Sequence, residues 1–195
     1  MPILIGNYLN VSKLFGGVII SDNEYFGMIR LGFRDMPIQD AKRRRMIIEC
    51  SKNSNIVFKG SAWIGSGTRI QVRKGATLEF GDNFYLSLES LIICHSGITF
   101  RDNCTVGWDT TICDTDYHTI VNLDTKESSP ITSTITIGTH CWICNGCSIM
   151  KGTYLPDDCV VASKSMCNKR YIGAEHSLLA GVPAKIKKMN VTHIR

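Results

Sequence analysis

No apolar run in the chain reaches the roughly 18 residues that a membrane-spanning helix needs, which argues against a transmembrane segment. Met1–Ile20 lacks both a basic start and a small-residue cleavage site, so no secretory signal is expected there. Nine cysteines is an odd number, which argues against a complete disulfide framework. The run Cys141-x2-Cys144-x2-Cys147 lacks the fourth cysteine and following proline of an iron–sulfur motif. No nucleic-acid motif occurs, and neither basic cluster (Lys42–Arg45; Lys185, Lys187, Lys188) is interleaved with aromatics, so nucleic acid is not an expected partner.

What remains is ordinary in bulk. The chain has 195 residues, 44% hydrophobic and 20% charged, with a net charge of +5. That is enough for one domain with extensions and a core. Cysteines at small-residue positions fit a reducing cytoplasm. The C-terminal lysines fit an anionic ligand and the Lys42–Arg45 cluster fits a partner or membrane surface, against the plainer reading of both as solvated surface.

A period of six organises the rest. Ile137, Ile143, Ile149, Leu155, Val161 and Cys167 fall six apart without a break. Six matches neither the helix period nor the strand period. It fits a chain that turns a corner every six residues and sends one side chain inward per face. Three faces would close a triangular coil of about 18 residues, stacked at about 4.8 Å. Cys141, Cys147, Thr153, Cys159 and Ser165 follow the inward residues by four, where a tight corner selects small side chains. The same register runs earlier through Phe58, Ile64, Ile70, then Phe80, Leu86, Ile92, then Phe100, Val106, Ile112. Glycines such as Gly65, Gly75, Gly81 and Gly107 fall at corner spacing, where positive φ is expected. The expected division is an N-terminal extension over 1–50, a β-helix over 51–170 with a protruding loop at 117–134, and a basic tail over 171–195. The extensions are expected as short irregular or helical elements, with a first strand near Met46.

Chemistry concentrates where the hexads stop. His118 opens the polar loop in Asp114-Thr115-Asp116-Tyr117-His118. On an extended strand residues 116 and 118 share a face, so Asp116 could orient the imidazole and raise its basicity, as a general base requires. The alternatives are an ordinary loop histidine, or His95 as the base. A zinc site from His95, Asp114, Asp116 and His118 resembles no established spacing, and no metal is expected. Trp142 falls five after an inward residue and should face outward, towards a ligand or a partner chain.

The hexads, a loop opening at His118, a tryptophan 24 residues later and the terminal Ala180-Gly181-Val182-Pro183-Ala184-Lys185 together resemble the left-handed β-helix acyltransferases. The likeness spans residues 56 to 188. It is strongest to the galactoside and maltose acetyltransferase group and to the O-acetyltransferases of surface polysaccharides, the latter through Cys104–His118. The resemblance implies left-handed coils, against the usual right-handed crossover. It implies a homotrimer with acetyl-CoA in grooves between subunits. It carries the catalytic base onto His118, coenzyme contacts onto Trp142 and Ser163, and the phosphate end onto Asn168, Lys169, Lys185 and Lys188. On the acceptor side, beside Asp116, the sequence departs from the galactoside-type pattern. His95 stands for an aspartate and Ser87 for an asparagine; separately, and as a milder change, Cys144 replaces the glycine that usually follows the tryptophan-isoleucine pair. The implied activity is acetyl-CoA-dependent O-acetylation of a sugar, a precursor of a surface polysaccharide (capsule, O-antigen or exopolysaccharide). The rivals are an N-acetyltransferase on an amino sugar or small amine, and a non-catalytic β-helix assembly subunit.

Overall fold

The computed structural model describes residues 1–6, 9–21, 24–33 and 45–194, and every regular element among them is a strand. Three sheets of nine, seven and six strands form the sides of one triangular prism. Face A holds Ile3–Ile5, Ile29–Phe33, Ala62–Gly65, Phe84–Leu86, Thr105–Val106, Trp142–Ile143, Val160–Val161, Ser177–Gly181 and Ala184–Met189. Face B holds Leu9–Leu14, Met46–Cys50, Arg69–Val72, Leu91–Cys94, Thr111–Cys113, Ser148–Met150 and Met166–Cys167. Face C holds Gly17–Ile20, Asn55–Phe58, Thr77–Phe80, Gly97–Phe100, Ile135–Ile137 and Tyr154–Leu155.

The chain visits the faces in the order C, A, B, and the hexad residues stack in three internal ladders. Phe58, Phe80, Phe100, Ile137 and Leu155 line face C. Ile64, Leu86, Val106, Ile143 and Val161 line face A. Ile70, Ile92, Ile112, Ile149 and Cys167 line face B. None of these is more than 3% exposed. The expected coil is therefore the observed one. A run of 18 residues returns the chain from Ile137 to Leu155, one rung higher.

Phenylalanines thicken the middle of the prism. The Phe80 ring lies 5.2 Å from Phe58, 5.7 Å from Phe100 and 4.6 Å from Phe84. Phe80→Ala should cost about 3–5 kcal/mol, because packed neighbours cannot collapse into the cavity. Chemical denaturation followed by circular dichroism measures this, and a loss below about 1 kcal/mol would mean that the coil refills the space.

The small corner residues do more than avoid bulk. Cys104, Cys141, Cys147 and Cys159 donate their S–H groups to the carbonyls of Gly138, Pro156, Ala162 and Ala174 in the coil above. Thr153 Oγ1 does the same to Cys167 O at 2.9 Å. Burial pushes the Cys104 and Cys167 thiols up to about 12, so both stay protonated. Cys141 and Cys147 thus serve two different corners, while Cys144 between them is partly exposed. The glycine expectation divides. Gly67 and Gly75 have positive φ, but Gly65 and Gly81 are needed for close approach. A Cβ on Gly65 would lie 1.9 Å from Ser87 O, and one on Gly81 would lie 2.5 Å from Arg101 C. Much of the left-handed backbone falls instead on Asn83, Asn103, Asp109, His140 and Asp158.

The ends of the chain differ from expectation. Strands before residue 51 extend all three faces, with Ile20 on Phe58, Leu31 on Ile64 and Ile48 on Ile70. The prism therefore begins well before residue 51, and Met46–Cys50 is not its first strand. The hexad signal is weak there because the inward residues are separated by uneven spacings. Of the Lys42–Arg45 cluster, only Arg45 lies within the described residues. The tail expected over 171–195 also holds strands. Ser177–Gly181 pairs with Val160–Val161, and Ala184–Met189 folds back antiparallel to end face A. No helix occurs among the described residues, and none is long and apolar enough to cross a membrane.

Candidate active site

The loop leaves and re-enters the prism at the corner between faces B and C. Its base is tied by antiparallel bridges, Thr115 to Thr132 and Val121 to Ser128. Ser133 N donates to Asp114 O at 3.0 Å, closing the neck. Asp114 itself is fully buried, and its carboxylate accepts the backbone N–H groups of His95, Ser96 and Gly97 at 2.7, 2.7 and 2.8 Å. One buried side chain thus ties the root of the loop to the corner of the coil below.

His118 stands exposed just beyond this root. The expected partnership with Asp116 is not formed. Tyr117 between them adopts φ +60°, so the segment is a turn rather than an extended strand, and the two side chains need not share a face. Asp116 pairs instead with Lys151 Nζ at 2.5 Å, one coil higher. His118 makes no hydrogen bond or ion pair with any described residue.

His95 lies one coil below. Its Nε2 is 3.5 Å from Gln71 Oε1, and its ring meets the edge of Tyr117 at 5.0 Å and 78°. Burial holds its pKa below the ordinary 6.5; the Asp114 charge opposes this shift and Arg73 adds to it. A lowered histidine pKa means that the folded state binds fewer protons than the unfolded one. Its contribution therefore favours the fold at neutral pH and is lost as pH falls below about 6.5. Beside it, a depression of about 260 Å³ on face B is lined by Glu49, Gln71, Leu91, Ile93 and Tyr117 among others. No motif marks Gln71 or Tyr117 in the sequence, although Tyr117 adjoins His118 and Gln71 aligns with the outward positions of face B. Among the described residues no group of three His, Cys, Asp or Glu side chains is disposed to hold an ion, and Asp114 and Asp116 are engaged as above.

The remaining sequence-derived residues fall on distinct lines of the prism. Trp142 is 37% exposed on face A, as its hexad position implies. His193 lies over it at 5.7 Å and stacks on His140 at 4.3 Å, while His140 Nδ1 contacts Asp158 Oδ1 at 2.7 Å. Lys188 shares the outward row of Trp142, through the register Trp142, Val160, Leu178, Lys188. Lys185 sits on the same edge strand, opposite Ala180. Asn168 and Lys169 follow Met166–Cys167 at the B–C corner, two coils above the loop root, where Lys169 lies over the Tyr171 ring at 5.5 Å. Ser163 and Ser87 belong to the A–B corner. Ser163 donates to Asn145 Oδ1 at 2.8 Å, and Ser87 is buried. One chain therefore puts Trp142 and Lys188 on one row of face A, three rungs apart, and brings His95 together with Tyr117 and the root of His118. It keeps those two groups on opposite edges of face C.

This prism is the left-handed parallel β-helix of hexapeptide-repeat proteins. Two of the solved structures it resembles are acetyltransferases. The polysialic-acid-specific acetyltransferase NeuO superposes with a TM-score of 0.61 at 20% identity, over 97% of this chain and 90% of that one. The hexapeptide-repeat acetyltransferase VCA0836 of Vibrio cholerae O1 biovar eltor, solved with acetyl coenzyme A, gives 0.53 at 19% identity, over 69% and 70%. Among curated sequences, an uncharacterized 24.8 kDa protein in the cps region of Klebsiella pneumoniae is 33% identical over 133 residues, which is 68% of this chain and 58% of that protein. The probable acetyltransferase Rv3034c of Mycobacterium tuberculosis is 29% identical over 126 residues, 64% of this chain and 41% of that protein. The chain thus spans about half the length of these curated relatives. No protein-family model matches it.

Proposed function

We propose that the protein is an acetyl-CoA-dependent O-acetyltransferase acting on a sugar hydroxyl of a surface-polysaccharide precursor, in the cytoplasm, as a homotrimer with its active sites between subunits. The observation that carries this reading is the division of the site into two parallel lines. The B–C corner carries His95, His118, Asn168 and Lys169, and face A carries Trp142 and Lys188. Within one chain the two lines stand at opposite edges of face C. Packing the corner of one subunit against face A of the next about a threefold axis parallel to the prism would bring them to either side of one groove. Heights are preserved by such an axis. The root of His118 follows Thr111–Cys113, in the coil whose face A strand is Thr105–Val106, and the next strand on face A begins at Trp142. Acetyltransferase likenesses, one of them solved with acetyl-CoA, support the donor.

In this groove the neighbour's His118 would take the proton of the acceptor hydroxyl as that oxygen attacks the thioester carbonyl. The C–S bond then breaks, and the thiolate of the coenzyme leaves and recovers the proton. Concerted deprotonation is needed because a sugar hydroxyl is a weak acid. A backbone N–H would hold the developing oxyanion. Both substrates meet in the groove, so no covalent acyl-enzyme is required. Lys188 and Lys185 lie towards the upper end of face A, where coenzyme phosphates would find cations. Replacing both with glutamine should weaken coenzyme A binding by about tenfold or more by calorimetry, through lost charge-assisted contacts. Unaltered affinity would remove them from the site. An ester product that is cleaved in mild base distinguishes O-transfer from N-transfer, and coenzyme binding distinguishes an enzyme from a bare assembly subunit.

A further inference from the structure

We infer that Arg30, Trp63 and Tyr85, on the outward side of face A, form the subsite for the acceptor and that it is built for an acidic saccharide; this rests on the acyl-transfer reading above. One row of face A runs through Arg30, Trp63, Tyr85, Thr105, Trp142, the buried Val160 and Leu178 in parallel register, and reaches Lys188 across the antiparallel end pair, beside a register shift. Lys188 is three rungs above Trp142, and Trp63 is three rungs below it, each about 14 Å away at the strand spacing. The phosphates and the thioester lie at opposite ends of the coenzyme. With the phosphates towards Lys188, the thioester points down the row towards Thr105, and the acceptor has to approach from the side of Tyr85 and Trp63.

The chemistry of that lower stretch suits a sugar acid. Trp63 and Tyr85 lie within 19° of parallel with 6.5 Å between ring centroids, and Phe33 adds a third ring 5.9 Å from Trp63. These rings give the lower stretch of the row an aromatic surface that suits the C–H groups of a pyranose. The Arg30 guanidinium lies 5.7 Å over the Trp63 ring, is exposed, and has the planar fork that matches a carboxylate. The Trp63 indole N–H is shielded from solvent and has no acceptor among the described residues. A groove of about 230 Å³ opens here, lined by Tyr25, Phe26, Arg30, Ser61, Trp63 and Asn83. The opposite wall matches in height. His95 closes the coil that contains Tyr85, so on a threefold-related neighbour it would face Tyr85, with Arg73 beside it as a second cation.

Calorimetry with oligosaccharides of sialic acid and hexuronic acid, and with neutral hexose oligomers of equal length, tests the subsite on the full chain. Wild type should bind the acidic oligomers in preference to the neutral ones. Trp63→Ala should weaken binding of the acidic oligomers at least tenfold, with coenzyme A affinity unchanged. Arg30→Gln, a surface change that leaves the fold intact, should remove the preference for acidic oligomers and leave the neutral ones alone. If no oligomer binds wild type more tightly than Trp63→Ala, or if Arg30→Gln leaves the preference intact, the subsite is wrong. It is equally wrong if Trp63→Ala alters only the oligomeric state by light scattering. Absence of coenzyme A binding to wild type would instead sink the acyl-transfer reading, whatever the saccharides do.

Discussion

His118→Ala should lower turnover about a thousandfold, the middle of the range for loss of a positioned general base, while coenzyme A still binds. The split is informative because His118 lies on the B–C corner, and Trp142 and Lys188 lie on face A. Removing the imidazole therefore leaves the coenzyme's side of the groove untouched. The readouts are steady-state kinetics with a responsive acceptor and calorimetry with coenzyme A. Turnover within a few-fold of wild type would transfer the role of base elsewhere, and His95 is the next histidine along that corner. Its contacts to Gln71 and Tyr117 make it the control, and His95→Ala should act on acceptor KM more than on kcat.

The second large effect concerns Asp114, and here the loss is one of stability. Asp114→Ala should cost about 3–5 kcal/mol, because three backbone N–H groups lose a buried charged acceptor at once. Asp114→Asn keeps one acceptor oxygen and should cost roughly half as much. Because those amides belong to His95, Ser96 and Gly97, activity should fall with stability, through loosening of the loop root. Denaturant titration of both variants measures the cost. Equal losses for alanine and asparagine would show that the charge and the second oxygen contribute little.

These two residues show how far local sequence reaches and where it stops. His118 stands out because it adjoins the break in the hexads, a feature of order along the chain. Asp114 reads from the sequence only as a possible metal ligand, because nothing local marks a carboxylate that caps amides 17 to 19 positions earlier. A partnership of Asp116 with His118 assumes an extended strand. The turn at Tyr117 and the cation of Lys151 decide otherwise, and neither a φ angle nor a contact over 35 positions is visible in a window of five residues. The strands before residue 51 escape the hexad pattern for a related reason. Their inward residues, Ile20, Leu31 and Ile48, stand 11 and 17 apart and keep no period, yet each stacks on a regular rung above.

By itself the sequence determined the coil. One apolar side chain per six residues, with a small residue at each corner, can be buried along the whole ladder only by a three-sided stack, because burial and strand pairing must both be satisfied at every step. The tertiary structure alone decided which outward residues share a line. Outward side chains are under no periodic constraint, so the row from Arg30 through Trp63 and Tyr85 to Trp142 and Lys188 follows from coil lengths and strand register. Those link positions as far apart as 30 and 188, and they separate Trp142 from His118 by the width of a face.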